Sequence, residues 1–246
     1  MSRFDGKAVL VSGGGTGIGK AIASAFAREG ARVAITGRRI EPLQALQREL
    51  GAAIVPIAAD ITDPAGRRRV VEEAARALGG LDVLVNNAGA FVGGKPLSET
   101  SDEELQALYG LNVIALLALT REALPHLVAR KGNVVNISSA VATGVMPGAV
   151  AYSGTKAAVD HVTRVLAVEL GGAGVRVNAV SPGLTETDMA APLTSEPATR
   201  QAMEAQTPLG RIGRPEDIAR VVTFLASSEA GWVTGQAVQA SGGLLL

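Results

Sequence analysis

Short, continuously apolar segments alternate with longer amphipathic segments along the whole chain. The apolar segments are rich in β-branched residues, which is typical of strands buried on both faces. The predicted strands are Lys7–Ser12, Arg32–Thr36, Ala53–Ala58, Leu81–Val85, Asn133–Ile137, Val175–Val180 and Gln236–Gln239. The predicted helices between them are Gly17–Glu29, Glu41–Leu50, Asp63–Leu78, Ser101–Arg130, Tyr152–Leu170 and Pro215–Ser227. This alternation predicts an α/β fold in which helices cover both faces of a parallel sheet.

Cap residues mark several helix boundaries. Asp63 followed by Pro64 is a typical helix start, and Ser101 with Glu104 has the spacing of a capping box. The sequence shows no linker, repeat or low-complexity stretch, so we predict a single domain over residues 1–246. The least regular region, Ser181–Arg214, is rich in Thr, Pro and Met, and we expect it to be a loop over a functional site.

Composition narrows the chemistry. The chain has 246 residues, two histidines and no cysteine. A chain of this length buries a sizeable core without a disulfide or a metal. Without thiols, and with only His126 and His161 as imidazole ligands, neither a disulfide framework nor a zinc site is expected. We therefore predict no metal site.

Charge argues against nucleic-acid and membrane partners. The 23 basic and 23 acidic side chains balance, and no basic stripe is present. The densest basic run, Arg67-Arg68-Arg69, is interpreted as a solvated helix face. The longest apolar stretch, Val113–Leu119, is far shorter than the ~18 residues that a membrane span requires. We expect a soluble, cytoplasmic protein.

A glycine-rich loop lies between the first predicted strand and the first predicted helix. Gly13, Gly17 and Gly19 let the backbone turn tightly and approach a pyrophosphate, which exposed N–H groups and the helix dipole can hold. The spacing differs from GxGxxG, and three glycines at such offsets are a weak signal alone. Their position in the first βαβ unit favours nucleotide binding over a purely structural turn.

The end of the second predicted strand bears on cofactor choice. A carboxylate there would bind the 2′-hydroxyl of an adenosine ribose and repel a 2′-phosphate. This sequence instead has Thr36-Gly37-Arg38-Arg39, with two guanidinium groups suited to a phosphate. NADP(H) is therefore favoured over NAD(H), although an ordinary charge pair leading into a helix is the alternative.

A tyrosine and a lysine four residues apart open the predicted helix after the fifth strand. Tyr152 and Lys156 share a helical face, and a nearby cation lowers a tyrosine pKa, which would let Tyr152 exchange a proton with a substrate hydroxyl. Ser139 ends the preceding strand and could bond the substrate oxygen. The alternative is a packed aromatic residue beside a surface cation. Ser138 should point away from Ser139 if the strand persists.

Taken together, these residues resemble the classical short-chain dehydrogenase/reductases over nearly the whole chain. The motifs that carry the resemblance are Gly13-xxx-Gly17-Ile18-Gly19, Asp60, Asn86-Asn87-Ala88-Gly89, Asn112, Ser139, Tyr152-xxx-Lys156 and Pro182-Gly183. The resemblance implies a single Rossmann-like, doubly wound domain with a seven-stranded parallel sheet. It also implies a homotetramer, and hydride transfer between a nicotinamide and a carbonyl or alcohol carbon.

The resemblance assigns roles to individual residues. Tyr152 would be the general acid/base, Lys156 would tune it and bind the nicotinamide ribose, and Ser139 would orient the substrate oxygen. Asn112 would hold a relay water, although a buried polar residue within a helix is equally a device for bending it. Asp60 matches a residue that contacts adenine, but it could simply cap a turn.

The remaining cofactor contacts follow from the same match. Thr185 would offer its backbone to the carboxamide, and Asn87 and Gly89 would line the cofactor while steadying the central sheet. The expected cofactor-binding set is Gly13, Gly15, Thr16, Gly17, Ile18, Gly19, Arg38, Arg39, Asp60, Ile61, Asn87, Ala88, Gly89, Tyr152, Lys156, Pro182, Gly183, Thr185 and Thr187.

Three functions remain open from the sequence. The first is an NADP(H)-dependent reductase of a small ketone, or a secondary-alcohol dehydrogenase in reverse; apolar residues in Ala140–Ala151 and Ser181–Arg214 favour a hydrophobic substrate. The second is a 3-oxoacyl carrier-protein reductase, which would dock an acyl carrier protein through Arg130 and Lys131 near the site mouth. Ala173 stands where such reductases often have arginine. The third is a non-catalytic dinucleotide-binding regulator.

The chain departs from the family pattern near its last residues. Ala240-Ser241-Gly242-Gly243 replaces a frequent acid-Gly-Gly ending, and Leu244-Leu245-Leu246 follows. An exposed tail of three leucines would be unusual for a soluble protein. We expect this tail to be buried at an interface.

Overall fold

A seven-stranded parallel sheet forms the centre of the molecule in the computed structural model, which describes residues 2–246. The spatial order is β3-β2-β1-β4-β5-β6-β7, and every neighbouring pair is parallel. The strands are β1 Ala8–Ser12, β2 Arg32–Gly37, β3 Ile54–Ala58, β4 Val83–Asn86, β5 Asn133–Ile137, β6 Arg176–Pro182 and β7 Ala237–Ala240. The doubly wound α/β fold predicted from the sequence is confirmed.

Helices connect the strands and lie on both faces of the sheet. They are α1 Gly17–Arg28, α2 Ile40–Leu50, α3 Pro64–Leu78, α4 Asp102–Tyr109, α5 Leu116–Arg130, α6 Val150–Gly171, α7 Ala191–Thr194, α8 Pro197–Gln206 and α9 Pro215–Ala226. Asp63 caps α3 by accepting from Gly66 N at 2.7 Å, and Ser101 and Glu104 form the expected capping box. The cap residues therefore start both helices as the sequence predicted.

The segment expected to be a loop, Ser181–Arg214, is partly helical, which corrects the prediction. It contains α7 and α8. Both helices have proline in their first turn, and the carboxylate of Glu196 caps α8 by accepting from two backbone N–H groups. The helices are too short to show an apolar periodicity along the sequence.

Two apolar cores lie on opposite faces of the sheet, because each strand sends alternate side chains to each face. Val9 and Val11 pack with α1 and α9 on one face, whereas Leu10 between them packs with α3 and α5 on the other. In the central strands, the side chains that point to either face are buried. This two-sided burial explains why the strands are continuously apolar in sequence.

The chain is helical from Asp102 to Arg130, with a π-helical turn at Gly110–Ala115 between α4 and α5. Length and composition alone would let this stretch cross a membrane, a criterion that core helices also meet. Its residues at four-residue intervals from Ala115 to Leu127 are buried in the core under the sheet. The stretch therefore packs as a core helix in this fold.

One arginine of the basic run departs from the expected solvated face. Arg67 is buried, and its Nη1 donates to the carbonyl oxygens of Ile61 and Thr62 at 2.8 and 2.9 Å. Arg69 donates to the carbonyl oxygen of Ala58. Arg67 and Arg69 both fasten the turn after β3, but Arg68 and Arg69 remain exposed as predicted.

Candidate active site

The carboxyl ends of all seven parallel strands lie at one edge of the sheet, which is where ligands bind in folds of this kind. The loop from Gly13 to Gly19 follows β1 at this edge. Gly13 and Gly17 have φ of +64° and +51°, a backbone conformation that side chains strongly disfavour. A β-carbon on Gly19 would overlap the carbonyl oxygen of Gly13. The loop therefore requires glycine at all three positions.

Hydrogen bonds from the turn after β4 brace this loop. Asn87 Nδ2 donates to the carbonyl oxygens of Ser12 and Gly13 at 2.9 and 3.1 Å. The Ser12 hydroxyl accepts from the backbone N–H groups of Asn87 and Ala88. Asn87 thus fixes the start of the glycine loop to the turn after β4.

Thr187, in the segment that follows β6, contacts the glycine loop. A β-carbon on Gly17 would lie 3.0 Å from Thr187 Cγ2. Thr187 follows the turn in which the Thr185 hydroxyl donates to the Gly183 carbonyl oxygen at 3.0 Å. The segments expected to hold the pyrophosphate and the nicotinamide are therefore neighbours in space, although about 170 residues separate them in sequence.

The end of β2 carries two exposed arginines, Arg38 and Arg39. Neither makes a side-chain hydrogen bond or ion pair with any residue from 2 to 246, but the positive charge of Arg38 helps to lower the pKa of Asp60. The larger cause of that lowered pKa is hydrogen bonding from Thr62, whose N–H and hydroxyl both donate to Asp60 Oδ1. Asp60 therefore caps a turn, which was the alternative reading of its position. Its neighbour Ile61 is buried.

The two serines at the end of β5 point to different partners. The Ser138 hydroxyl donates to the Lys156 carbonyl oxygen at 3.2 Å, and its backbone N–H still pairs with Val180 of β6. Ser139 has an extended backbone and lies within hydrogen-bonding reach of Tyr152. Ser138 therefore joins the end of β5 to α6 by a hydrogen bond, whereas Ser139 faces the tyrosine.

Tyr152 lies in the first turn of α6, with its ring against that of Phe91. The two rings meet edge to face, with centroids 4.9 Å apart. Burial raises the pKa of Tyr152, and the hydrogen bond with Ser139 opposes this shift. The pKa lowering expected from Lys156 is not seen. Its Nζ lies 5.6 Å from the ring centroid and donates instead to the Ile137 carbonyl oxygen at 2.9 Å.

Lys156 is buried, and burial lowers its pKa to about 8. The carboxylate of Asp160, one helical turn further along α6, opposes that lowering. Asp160 is itself buried, and desolvation raises its pKa. Its Oδ1 has no hydrogen-bond partner in the described chain. Tyr152, Lys156 and Asp160 therefore form a column at four-residue spacing on one face of α6.

Asn112 lies in the π-helical turn and is almost completely buried. Its Oδ1 accepts from Ala90 N at 2.9 Å, and its Nδ2 donates to the Ala90 carbonyl oxygen and to Thr155 Oγ1. A β-carbon on Gly89 would lie 3.2 Å from Asn112 Oδ1 and 3.7 Å from Lys156 Nζ. The Asn112 side chain thus anchors the turn after β4 beside Lys156, and π-helical turns are frequent at functional sites.

Arg130 and Lys131 do not line the site. They immediately precede β5 at its amino end, whereas Ser139 follows its carboxyl end. A strand of this length separates the two ends by roughly 17 Å. Within one chain, the expectation that these cations flank the site mouth is therefore wrong.

Two neighbours of the predicted site were not identified from the sequence. Phe91 contacts Tyr152 across the chain, and no local pattern points to such a pair. Asp160 had a usable signal, because it repeats the four-residue spacing of Tyr152 and Lys156 on the same helix.

The chain is similar to known oxidoreductases along nearly its whole length. The sequence profile of a family described as enoyl-(acyl carrier protein) reductase matches residues 13–245. The chain is 38% identical over 248 residues to 3-oxoacyl-[acyl-carrier-protein] reductase of Thermotoga maritima, covering 99% of this chain and 100% of that protein. It is 36% identical over 243 residues to meso-2,3-butanediol dehydrogenase of Serratia marcescens, covering 98% and 95%.

A solved structure gives the same result. The 3-ketoacyl-(acyl-carrier-protein) reductase from Brucella melitensis, complexed with NADH, superimposes with a TM-score of 0.92 at 33% identity, covering 99% of this chain and 100% of that chain. Sequence and fold agree over the full length, and the chain belongs to the classical short-chain dehydrogenase/reductase family of oxidoreductases.

Proposed function

We propose that this protein is an NADP(H)-dependent oxidoreductase that transfers a hydride between the nicotinamide and a ketone or secondary alcohol, with Tyr152 as general acid/base. The observation that carries the proposal is the convergence of Tyr152, Ser139 and Lys156 beside a glycine loop at the ligand-binding edge of the sheet. A non-catalytic regulator would have no need for this convergence.

The glycine loop Gly13–Gly19 and the segment Gly183–Thr187 fit a dinucleotide. Gly13 and Gly17 hold the loop open, and Thr16 begins α1 without using its side chain to cap the helix. The first-turn N–H groups of α1 therefore remain for a pyrophosphate. Gly183 and Thr185, in the segment after β6, would hold the nicotinamide. When bound, the cofactor supplies or accepts the hydride.

Two side chains contact the substrate oxygen, and a third supports the tyrosine. Ser139 orients it with its hydroxyl, and Tyr152 donates its phenolic proton to it during ketone reduction. Lys156, protonated below a pH of about 8, stabilises the phenolate that Tyr152 leaves behind. Phe91 packs on the Tyr152 ring and keeps water from that side.

Asn112 has a supporting role in this proposal. Because its amide group is occupied by Ala90 and Thr155, its side chain fixes the position of the turn after β4. A relay water beside Lys156 would therefore be held by the backbone of the π-helical turn. Asn112 would thus serve both predicted roles, because the π-helical turn that bends the helix would also hold the relay water.

The proposed preference for NADP(H) rests on Arg38 and Arg39. Both guanidinium groups are exposed at the carboxyl end of β2, where no carboxylate would repel a 2′-phosphate. Arg38→Ala should raise the dissociation constant of NADPH about tenfold and leave that of NADH within twofold. Arg48→Ala on the exposed face of α2 is the matched control. An equal loss for both cofactors would contradict the preference.

A carrier-bound 3-oxoacyl substrate is the second candidate. It is favoured by the 3-oxoacyl-[acyl-carrier-protein] reductase of Thermotoga maritima among the relatives. Against it stand the position of Arg130 and Lys131 at the opposite sheet edge and the uncharged Ala173. A free ketone therefore ranks first.

The deciding experiment follows NADPH absorbance with a panel of ketones and 3-oxoacyl thioesters. Wild-type protein should consume NADPH only when a ketone is present, and Tyr152→Phe should lower the rate about 10³-fold. Faster turnover of carrier-bound thioesters than of free ketones would select the second candidate. Binding of NADPH by both proteins, with no turnover of any substrate in a broad panel, would instead support a dinucleotide-binding regulator.

We also propose a homotetramer. Val165 and Val168 leave apolar surface exposed on α6, and Phe224 and Trp232 do so in and after α9, on the opposite face of the sheet. Two separate self-complementary surfaces generate a tetramer with twofold axes. Light scattering should give four chains for the wild type, and dimers for Trp232→Ser and for Val168→Ser.

A further inference from the structure

The segment Ser241–Leu246, named here the 241–246 strap, turns back from β7 over the site edge. Leu209 N donates to the Gly242 carbonyl oxygen at 3.0 Å. A β-carbon on Gly243 would lie 2.7 Å from Pro208 Cγ. The strap therefore packs directly on residues 207–209, at the end of the 181–214 segment.

The strap also reaches the segment on the other side of the site. A β-carbon on Gly144 would lie 2.6 Å from Leu245 Cβ and 3.3 Å from Leu245 Cδ1. Gly144 is five residues after Ser139, in the 140–151 segment. The strap thus bridges the two segments from which the sequence predicts the substrate walls.

A single side chain holds the strap in this position. Gln239 Nε2 lies within hydrogen-bonding distance of the carbonyl oxygens of Leu244 and Leu245, at 2.8 and 3.3 Å, and of Ser241 Oγ at 3.0 Å. Leu245 has a φ of +58°, a conformation unfavourable for a leucine. Strained backbone of this kind persists where surrounding contacts fix it, and it occurs preferentially at ligand-binding sites.

Apolar surface surrounds the contact between the strap and its neighbours. Val145, next to Gly144, is 83% exposed, and Leu209, next to Pro208, is 73% exposed. Leu245 itself is only half-buried. Exposed apolar side chains thus adjoin both contacts of the strap.

We propose that Leu245 is a specificity-determining residue, and that the 241–246 strap forms a third wall of the substrate cleft that sets the length of the apolar arm of the ketone. Gln239 is the positioning residue that holds this wall. This inference rests on the proposed ketone reductase activity and names the part of the substrate that the chain selects.

The test compares kcat/KM for straight-chain ketones from 2-butanone to 2-decanone. Leu245→Ala should raise the ratio of long-chain to short-chain kcat/KM about tenfold, because removed methyl and methylene groups leave room for the longer arm. Leu245→Trp should lower the same ratio. Leu246→Ala is the matched control, since Leu246 is 95% exposed and should change the ratio less than twofold.

Opposite shifts from the two Leu245 variants distinguish a wall from simple loss of stability, which would lower every rate alike. Gln239→Leu, which removes the amide donors, should broaden selectivity in the same direction as Leu245→Ala while NADPH affinity stays unchanged. Unchanged ratios in both Leu245 variants, with an active wild type, would overturn the strap proposal alone. A wild type that binds NADPH but reduces no ketone would overturn the proposed function, and the role of Leu245 with it.

Discussion

Buried polar groups are more completely hydrogen-bonded at the amino ends of the strands, the amino edge of the sheet, than at the carboxyl ends, the carboxyl edge. At the amino edge, Asp82 accepts from Ala8 N at 3.0 Å and from Lys7 Nζ at 2.9 Å. Arg176 donates to the carbonyl oxygens of Leu225, Ser227 and Val233. Asn133 Oδ1 is the single unpartnered buried side-chain acceptor among the described residues at this edge. These contacts tie the amino ends of the strands to the helices around them.

The carboxyl edge leaves more groups unpartnered. Thr36 Oγ1, Asn86 Oδ1 and Ser181 Oγ, at the ends of β2, β4 and β6, lack hydrogen bonds within residues 2–246, as does Asp160 Oδ1. Lys156 is buried there with one hydrogen bond. An unsatisfied buried polar group is destabilising, and such groups concentrate where function requires them. One edge of the sheet therefore contributes stability, and the other sacrifices some of it for chemistry.

The largest expected effect that tests this comparison comes from Tyr152→Phe. Removal of one hydroxyl should lower kcat about 10³-fold, because the proton donor is lost, while the melting temperature changes little. Tyr109→Phe, at the only other tyrosine of the chain, is the control and should keep most of the activity. A large drop in melting temperature for Tyr152→Phe would break the division between the two edges.

The opposite result is expected at the amino edge. Asp82→Ala removes the acceptor of a buried backbone N–H, so the free energy of unfolding should fall by about 2 kcal/mol. The loss of the ion pair with Lys7 adds little, since Lys7 is about half exposed. Denaturant titration measures the loss, and kcat should stay unchanged in the folded protein. Asp5→Ala, at an exposed aspartate, should leave both unchanged.

Local spacing explains how much of this could be read from the sequence. The seven strands, the glycine loop and the spacing of Tyr152 and Lys156 on one helix follow from short-range patterns, and the structure reproduces the strands to within about two residues at each end. Contacts between distant segments have no such pattern. The contacts of Leu245 with Gly144 and of Phe91 with Tyr152 therefore required the fold.

The direction of the Tyr152 pKa shift also could not be predicted from the sequence. Proximity of Lys156 to Tyr152 predicted a lowered tyrosine pKa, yet burial of the phenol raises that pKa. The ammonium donates to the Ile137 carbonyl oxygen, and its Nζ lies 5.6 Å from the centroid of the Tyr152 ring. The direction of this pKa shift depends on burial and side-chain orientation, and spacing along a helix determines neither of them.

A pH profile examines the buried charges of the carboxyl edge. The pKa of Lys156 is about 8, so kcat/KM for ketone reduction should fall above that pH as the ammonium is lost. Asp160 acts in the opposite sense to burial and raises the pKa of Lys156. Asp160→Asn should therefore move the fall to lower pH. An unchanged profile would mean that Asp160 is protonated throughout the measured range.

The smallest expected effect compares two buried threonines. Thr36→Val removes an unpartnered hydroxyl at the carboxyl edge without changing the side-chain shape, so the free energy of unfolding should rise by about 1 kcal/mol. Thr163→Val makes the same change where the hydroxyl donates to the Val159 carbonyl oxygen and accepts from Asn136 Nδ2, and it should lower stability by a similar amount. Both residues have no exposed surface, so hydration of the native side chain cannot account for a difference in sign. Urea unfolding of the two variants measures that sign, and equal losses in both would show that Thr36 carries no unsatisfied group.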